Sequence, residues 1–364
     1  MIERIWKLIL RRRTLSLLAI PAALLWIVSL FYRLLFLIYR ATRPAPKKLN
    51  VPVISVGNIT VGGTGKTPMV RLVASGLLSE GLRVGVVSSG YGRDETSPVL
   101  SEGYRLAEVD AARVGDEVCM LARQLPQAVF TIDESKTQAA ETLAEIGMVD
   151  VVVVDDGFQH FGLARDLDIV TYDAALKKRV LHGFPFGVMR EPLNALRRAD
   201  IIVVTRAKFA EDITLLRERL GRISPEADVY QAGFHAVEII GRESRHRVKY
   251  LEDKSVFLFA GVGNFRTLKQ QVMALAGDLD EAMELSDHQR YDQTVLQHIK
   301  NRADRRGSDV ILTTGKDWVK LGAFDFGREM YYLGLSVDLD PGEERLIENI
   351  VGRLDLRGRD GPQV

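Results

Sequence analysis

The residues best suited to do chemistry are the eight at positions 60–67, TVGGTGKT, which follow the apolar run 51–56 and precede a helical pattern. That is the setting of a phosphate-binding loop, in which successive backbone N–H groups curl around nucleotide phosphates and bulky side chains are excluded from the tight positions. Gly62, Gly63 and Gly65 meet that need, Lys66 supplies a point charge for the β- and γ-phosphates, and Thr67 offers its hydroxyl to Mg²⁺. The helix N-terminus behind them favours negative charge, and Pro68 suits a first turn that has no use for its missing N–H. Val61 and Thr64 complete the loop with Thr60, which stands where the pattern G-x-x-x-x-G-K-[ST] opens on glycine. The bland alternative is a glycine-rich turn between strand and helix.

A second signal lies at 149–156, VDVVVVDD, a buried-strand pattern that ends in Asp155 and Asp156 and continues as Gly157, Phe158, Gln159 and His160. The end of such a strand is where a phosphate-binding-loop protein puts the acid that organises Mg²⁺. Three more polar clusters are Gly115-Asp116-Glu117, Arg190-Glu191-Pro192 and Ser286-Asp287-His288 with Arg290 and Tyr291. Each has a plain reading by itself: Asp116 as a helix cap, Glu191 as a surface acid, His288 as an ordinary histidine.

The elements that must position these residues follow from hydrophobic periodicity. Val/Ile-rich runs at 51–56, 83–87, 150–155, 167–172 and 200–205 alternate with helical patterns at 68–79, 115–124 and 134–146. That alternation predicts an α/β fold, a parallel sheet with helices on both faces. A second series, with strands near 228–240, 255–260, 309–314 and 330–334 and helices near 264–276, 292–303 and 342–353, predicts a smaller α/β domain. The boundary falls near 225–240, and 355–364 reads as a frayed tail.

Charge is unevenly distributed. Residues 1–48 hold ten Lys or Arg against one acid, so the rest of the chain carries 39 basic and 47 acidic residues. An acidic body speaks against nucleic-acid binding, and a basic leader suits anionic headgroups. Residues 14–32 carry no charge for 19 positions, which as a helix reaches about 28 Å, close to a hydrocarbon core of roughly 30 Å. Basic residues flank both ends and Pro21 interrupts the run, which favours a helix or shallow hairpin lying in the inner leaflet over a simple span. Such a leader is expected to contribute little to the folding of the body. The lone cysteine, Cys119, excludes an internal disulfide and reads as a small buried hydrophobe.

At this point the chain resembles the tetraacyldisaccharide 4′-kinases (lipid A 4′-kinases). The resemblance is carried by SVGNITVGGTGKTP at 55–68, GYGR at 90–93, VGDE at 114–117, VDDGFQH at 154–160, REPL at 190–193, RAD at 198–200, FAGVGN at 259–264, SDHQRY at 286–291 and TTGKDWVK at 313–320. It implies a P-loop NTPase-like kinase domain at 49–228, a second α/β domain at 229–354 and a membrane-associated segment at 1–48. It also implies transfer of the ATP γ-phosphoryl group, with Mg²⁺, to the 4′-hydroxyl of a tetraacylated glucosamine disaccharide 1-phosphate. The expected place is the cytoplasmic face of the bacterial inner membrane, and the expected state a monomer. Asp116 is thereby cast as the proton acceptor with His288 as its dyad partner. Thr67, Glu117 and Asp155 become Mg²⁺ candidates, and Asp156, Gln159, His160, Glu191 and Arg93 fall around them or at the acceptor. Two departures, Ser89 before GYG and Gln289 after the Asp-His pair, bear on acceptor contacts rather than on ATP.

Two rival readings are a membrane-attached regulatory GTPase or ATPase and an adaptor with a vestigial loop. A guanine reader should carry Asn-Lys-x-Asp after a strand; the nearest string, at 301–304, reads Asn-Arg-Ala-Asp within a helical pattern.

Overall fold

The computed structural model describes residues 19–287 and 289–356. In chain order its strands are β1 (Val53–Asn58), β2 (Val84–Ser88), β3 (Val99–Glu102), β4 (Val129–Ile132), β5 (Val151–Asp155), β6 (Leu167–Asp173), β7 (Ile201–Thr205), β8 (Asp228–Ile240), β9 (Arg245–Arg247), β10 (Ser255–Ala260), β11 (Asp278–Glu284), β12 (Val310–Thr314) and β13 (Glu329–Asp340). Packing divides the chain into two compact units, each drawn from separated stretches. The first comprises Met1–Val70, Ala144–Gly233 and Leu339–Val364, and the second Arg71–Leu143 and Phe234–Asp338.

The first unit is built on parallel strands in the order β8–β7–β6–β1–β5. β1, β5, β6 and β7 are buried along their whole length, which is why they read as Val/Ile-rich runs rather than as alternating patterns. One face is filled by Ile59, Phe158, Tyr172, Met189, Leu196 and Leu220. The helix Ile213–Ile223, whose N-cap Asp212 accepts from the Leu215 N–H, was not foreseen from periodicity. Leu220 is buried and Ile213, Leu216 and Ile223 pack partly buried beside it, an i, i+3, i+7, i+10 stripe blurred by the exposed Leu215.

The helix Ala19–Ala41 also belongs to the first unit, and runs on through Arg33 and Arg40 beyond the uncharged stretch. From Ile20 it is long and apolar enough to cross a membrane. A narrow stripe of it meets the protein. Ala22 and Ser29 are buried, Tyr32 packs edge-on against Phe184, Phe36 meets Phe161, and Arg40 lies over the Phe161 ring. The expectation that the leader contributes little to the fold is therefore corrected for residues 22–40: their aromatic stripe is part of the packing of the first unit. The other faces, with Ile27, Leu34 and Ile38, are exposed.

The second unit contains the parallel set β11–β10–β12–β13 and the set β2–β4–β3, in which β3 runs antiparallel to β4. The first set carries apolar clusters on both sides, one around Leu258 and Leu312, the other around Phe257, Phe259 and Ile311. β11, DLDEAME, escapes a hydrophobicity reading because four of its seven residues are acids and none is fully buried. Leu356, assigned to the tail from sequence, is buried, its N–H bonded to the Val351 carbonyl; residues 357–364 lie outside the described residues.

Candidate active site

In the first unit the phosphate-binding loop leaves β1 at Asn58 and is strapped by the segment 188–191. The Val61 N–H donates to the Val188 carbonyl and the Arg190 N–H to the Ile59 carbonyl, both at 2.8 Å. Thr60 forms an isolated antiparallel bridge with Met189, an extended position that any residue adopts, so the departure from an opening glycine is harmless to the backbone. Gly62 and Gly65 are the positions that need glycine, with φ of 105° and 90°. Gly63 is not held there by the protein, since a Cβ on it would meet nothing within 4 Å.

Thr64 turns inward. Its Oγ1 accepts from Asn58 Nδ2 at 2.8 Å and lies 2.8 Å from Thr171 Oγ1, so the loop is bolted to β1 and β6 through three buried polar side chains. Thr64→Val would leave Asn58 and Thr171 without that partner, and a buried unsatisfied group costs about 1–3 kcal/mol. Urea unfolding should register a loss of that size together with weaker nucleotide binding; an unchanged midpoint would contradict the bolt.

Lys66 and Thr67 open the helix Lys66–Ser79. Lys66 Nζ lies 3.6 Å from Asp156 Oδ1, and Arg190 Nη1 donates to Asp156 Oδ2 at 2.8 Å. Asp156 thus gathers two cations, and it does so from a left-handed conformation, φ 49°, just after β5 ends on the buried Asp155. Aspartate is one of the few non-glycine residues that visits this region readily. Behind it Gln159 Nε2 donates to Glu191 Oε1 at 2.9 Å and to the Asn58 carbonyl at 2.8 Å. Arg198 Nη2 donates to the same Glu191 oxygen at 2.7 Å and its guanidinium lies over the Phe158 and Phe161 rings. Glu191 is 2% exposed, so it is no surface acid. His160 is half-buried, its carbonyl accepting from Arg165.

In the second unit Asp116 opens the helix Asp116–Gln124 after the N-cap Gly115, and its Oδ1 accepts from the Glu117 N–H at 3.0 Å. Glu117 is half-buried and Cys119 buried, as the sequence implied for the cysteine. The TTGKDWVK run brings two lysines to this helix. Lys320 Nζ lies 3.7 Å from Asp116 Oδ2, and Lys316 Nζ pairs with Asp287 Oδ1 at 3.0 Å. Burial works against the Lys316 charge, but Asp287, Asp116 and Glu117 outweigh it, and its pKa stands above the usual lysine value. Arg290 donates to Asp94 at 2.7 Å, tying the SDHQRY element to the loop after GYGR. Arg93, expected near the acceptor, donates to the Thr96 and Ser97 carbonyls and so closes its own loop. His288, the expected dyad partner, lies outside the described residues.

Comparison with known proteins decides what these parts belong to. The family model described as tetraacyldisaccharide-1-P 4′-kinase matches residues 21–355. The chain belongs to that family. It is a lipid-sugar kinase of lipid A biosynthesis. The tetraacyldisaccharide 4′-kinase of Geobacter metallireducens is 38% identical over 311 residues, 82% of this chain and 88% of the relative. That of Chlorobium phaeovibrioides is 32% identical over 363 residues, 94% of this chain and all of the relative. A crystal structure of LpxK from Aquifex aeolicus in complex with ATP is similar at TM-score 0.68 and 28% identity, covering 93% of this chain and 98% of that one. The kinase shares its P-loop NTPase-like α/β fold. The Asn-Arg-Ala-Asp string at 301–304, the nearest to the Asn-Lys-x-Asp of a guanine reader, lies inside the helix Gln293–Arg306 rather than after a strand.

Sequence reasoning missed several supporting residues of this tetraacyldisaccharide 4′-kinase family member. Asn58 and Thr171 look like ordinary strand residues, and Arg198 is one of two adjacent arginines. Asp317 and Lys320 were visible as part of TTGKDWVK, but nothing local said that Lys320 reaches the Asp116 helix.

Proposed function

We propose that this kinase transfers the γ-phosphoryl group of ATP to the 4′-hydroxyl of a tetraacylated glucosamine disaccharide 1-phosphate at the cytoplasmic face of the inner membrane. The observation that carries the reading is the family match across residues 21–355, with Lys66, Thr67, Asp155 and Asp116 all present within it. The loop N–H groups from Gly62 to Thr67 and the Lys66 ammonium hold the phosphates, which compete with Asp156 for that lysine. The acceptor hydroxyl is a poor nucleophile, so Asp116 takes its proton as the oxygen attacks phosphorus, with His288 orienting the carboxylate. Asp156, Gln159 and Glu191 keep Lys66, Arg190 and the loop in register, His160 supports the turn after β5, and Arg93 closes its own loop.

Thr67 and Asp155 are hard oxygen donors at a helix start and a strand end. Among the described residues no group of three His, Cys, Asp or Glu gathers to cage a metal. That donor set fits Mg²⁺, which keeps most of its waters and takes phosphate oxygens; Glu117 is the third candidate ligand. The ion supplies charge neutralisation on the phosphate oxygens.

The apolar helix supports membrane association, with its outward Ile27, Leu34 and Ile38 in the leaflet and Arg33, Arg40 and Arg43 at headgroup level. The direct test is transfer of ³²P from γ-labelled ATP to the lipid disaccharide, followed by thin-layer separation. A 4′-monoester that depends on Mg²⁺ is expected; nucleotide turnover that ignores the lipid would favour a regulatory NTPase instead.

A further inference from the structure

Lys320 has no part in the chemistry above, yet its surroundings are among the most constrained in the second unit. Its ammonium lies 3.1 Å from Asp317 Oδ1, 3.7 Å from Asp116 Oδ2 and 5.2 Å from the centre of the Tyr291 ring. Asp317 is 0% exposed, Asp116 7% and the lysine side chain 14%.

Asp317 is an anchor that does not depend on the lysine. Its carboxylate accepts from the Gly261 N–H at 3.0 Å, from the Thr314 hydroxyl at 2.8 Å and from the Tyr291 hydroxyl at 2.9 Å. Burial first, then the Asp317 charge, pushes the Tyr291 phenol well up, which keeps it a donor. Thr314 also caps the short helix Gly315–Trp318, and a Cβ on Gly315 would sit 3.2 Å from the Met120 sulfur of the Asp116 helix. That close approach holds the anchor and Asp116 at a set distance. Lys320 spans it.

The groups facing this point come from three segments: Asp116 and Glu117, Asp287 and Tyr291, and Lys316, Asp317 and Lys320. Lys316 pairs with Asp287, and Lys320 stands 3.7 Å from Asp116 Oδ2. One Asp116 oxygen accepts a backbone N–H and the other faces the ammonium.

We propose that Lys320 is a second positioning residue of the Asp116 carboxylate beside His288, transmitting the fixed place of Asp317 to Asp116 Oδ2 and so selecting the rotamer that receives the acceptor hydroxyl. It rests on the reading of Asp116 as proton acceptor. A carboxylate free to swing by about 1 Å forfeits up to roughly 100-fold in rate, without any change in what is bound.

The test uses the full-length kinase in detergent with ATP, Mg²⁺ and the lipid disaccharide, and the variants Lys320→Met and Lys320→Arg in wild-type and Asp116→Asn backgrounds. Lys320→Met should lower kcat by roughly 10- to 100-fold while both KM values stay within about twofold. Lys320→Arg, which keeps the charge, should recover most of the loss. In the Asp116→Asn background Lys320→Met should cost less than about twofold more, because the group it positions is already disabled. A folded Lys320→Met enzyme with near-normal kcat overturns the proposal, as does an equal loss in both backgrounds. Should Lys320→Met fail to fold, Lys320→Gln takes its place; if neither folds, the lysine is a core ion pair and the proposal falls. Full activity of Asp116→Asn alone would mark a different failure, that of the proton-acceptor reading itself.

Discussion

Asp116→Ala should bind ATP normally and lose roughly 10²- to 10⁴-fold in kcat, whereas Lys66→Ala should lose nucleotide binding and turnover together. The two residues do different work. Lys66 opens the helix behind the phosphate-binding loop, so its removal takes a positive charge away from the phosphates in ground and transition states alike. It also removes one of the cations around Asp156, which keeps its pair with Arg190 at 2.8 Å. Asp116 opens a different helix, in the second unit, where its carboxylate is held by the Glu117 N–H and approached by Lys320. Its loss should leave the loop untouched. Equilibrium titration with a fluorescent nucleotide, alongside phosphotransfer rates, separates the outcomes, and near-normal transfer by Asp116→Ala would remove it from the catalytic role. If His288 acts as its partner, His288→Ala and the double variant should show losses far from additive.

Membrane partitioning should collapse when Ile27, Leu34 and Ile38 are all replaced by Glu. These side chains lie on the face of the helix Ala19–Ala41 opposite Ser29, Tyr32 and Phe36, and each is about half exposed. Burying an aliphatic side chain of this size is worth roughly 2 kcal/mol, so three lost insertions weaken vesicle binding by on the order of 10³-fold or more. Thermal stability in detergent should change little, because the stripe that packs on Phe161 and Phe184 is untouched. Deleting residues 2–40 outright would be a poorer probe, since it removes Tyr32 and Phe36 along with the exposed face. Vesicle co-sedimentation at high salt reads the effect, with detergent-dispersed acceptor as the control. Retained sedimentation by the triple variant would move the anchor elsewhere.

The parts of this fold that periodicity exposes are those whose environment is uniform along the segment. β1, β5, β6 and β7 are buried on both faces and announce themselves as Val/Ile runs within one or two residues of their true ends. β11 is not, because its burial is partial and its acids break the pattern. The phosphate-binding loop was legible for a different reason: its chemistry is local, and φ values above 90° at Gly62 and near 90° at Gly65 leave a mark that one sequence can carry. Gly63 shares the motif without sharing the constraint.

By itself, then, the sequence determined where phosphates would be held, which strand would end in carboxylates and that the N-terminal segment was apolar between basic flanks. The tertiary structure decided which polar residues meet. Arg290 and Asp94 pair across 196 positions, Gln159 reaches Glu191 across 32, and Lys66, Asp156 and Arg190 come together from three separate segments. It also decided that Glu191 is buried and that Lys320 faces Asp116. Hydrophobic periodicity and turn chemistry act over a few residues, because they reflect the geometry of one helix turn or one pleat. Ion pairs between distant segments depend on how whole sheets and helices pack, and a lysine carries no local sign of the carboxylate it will meet.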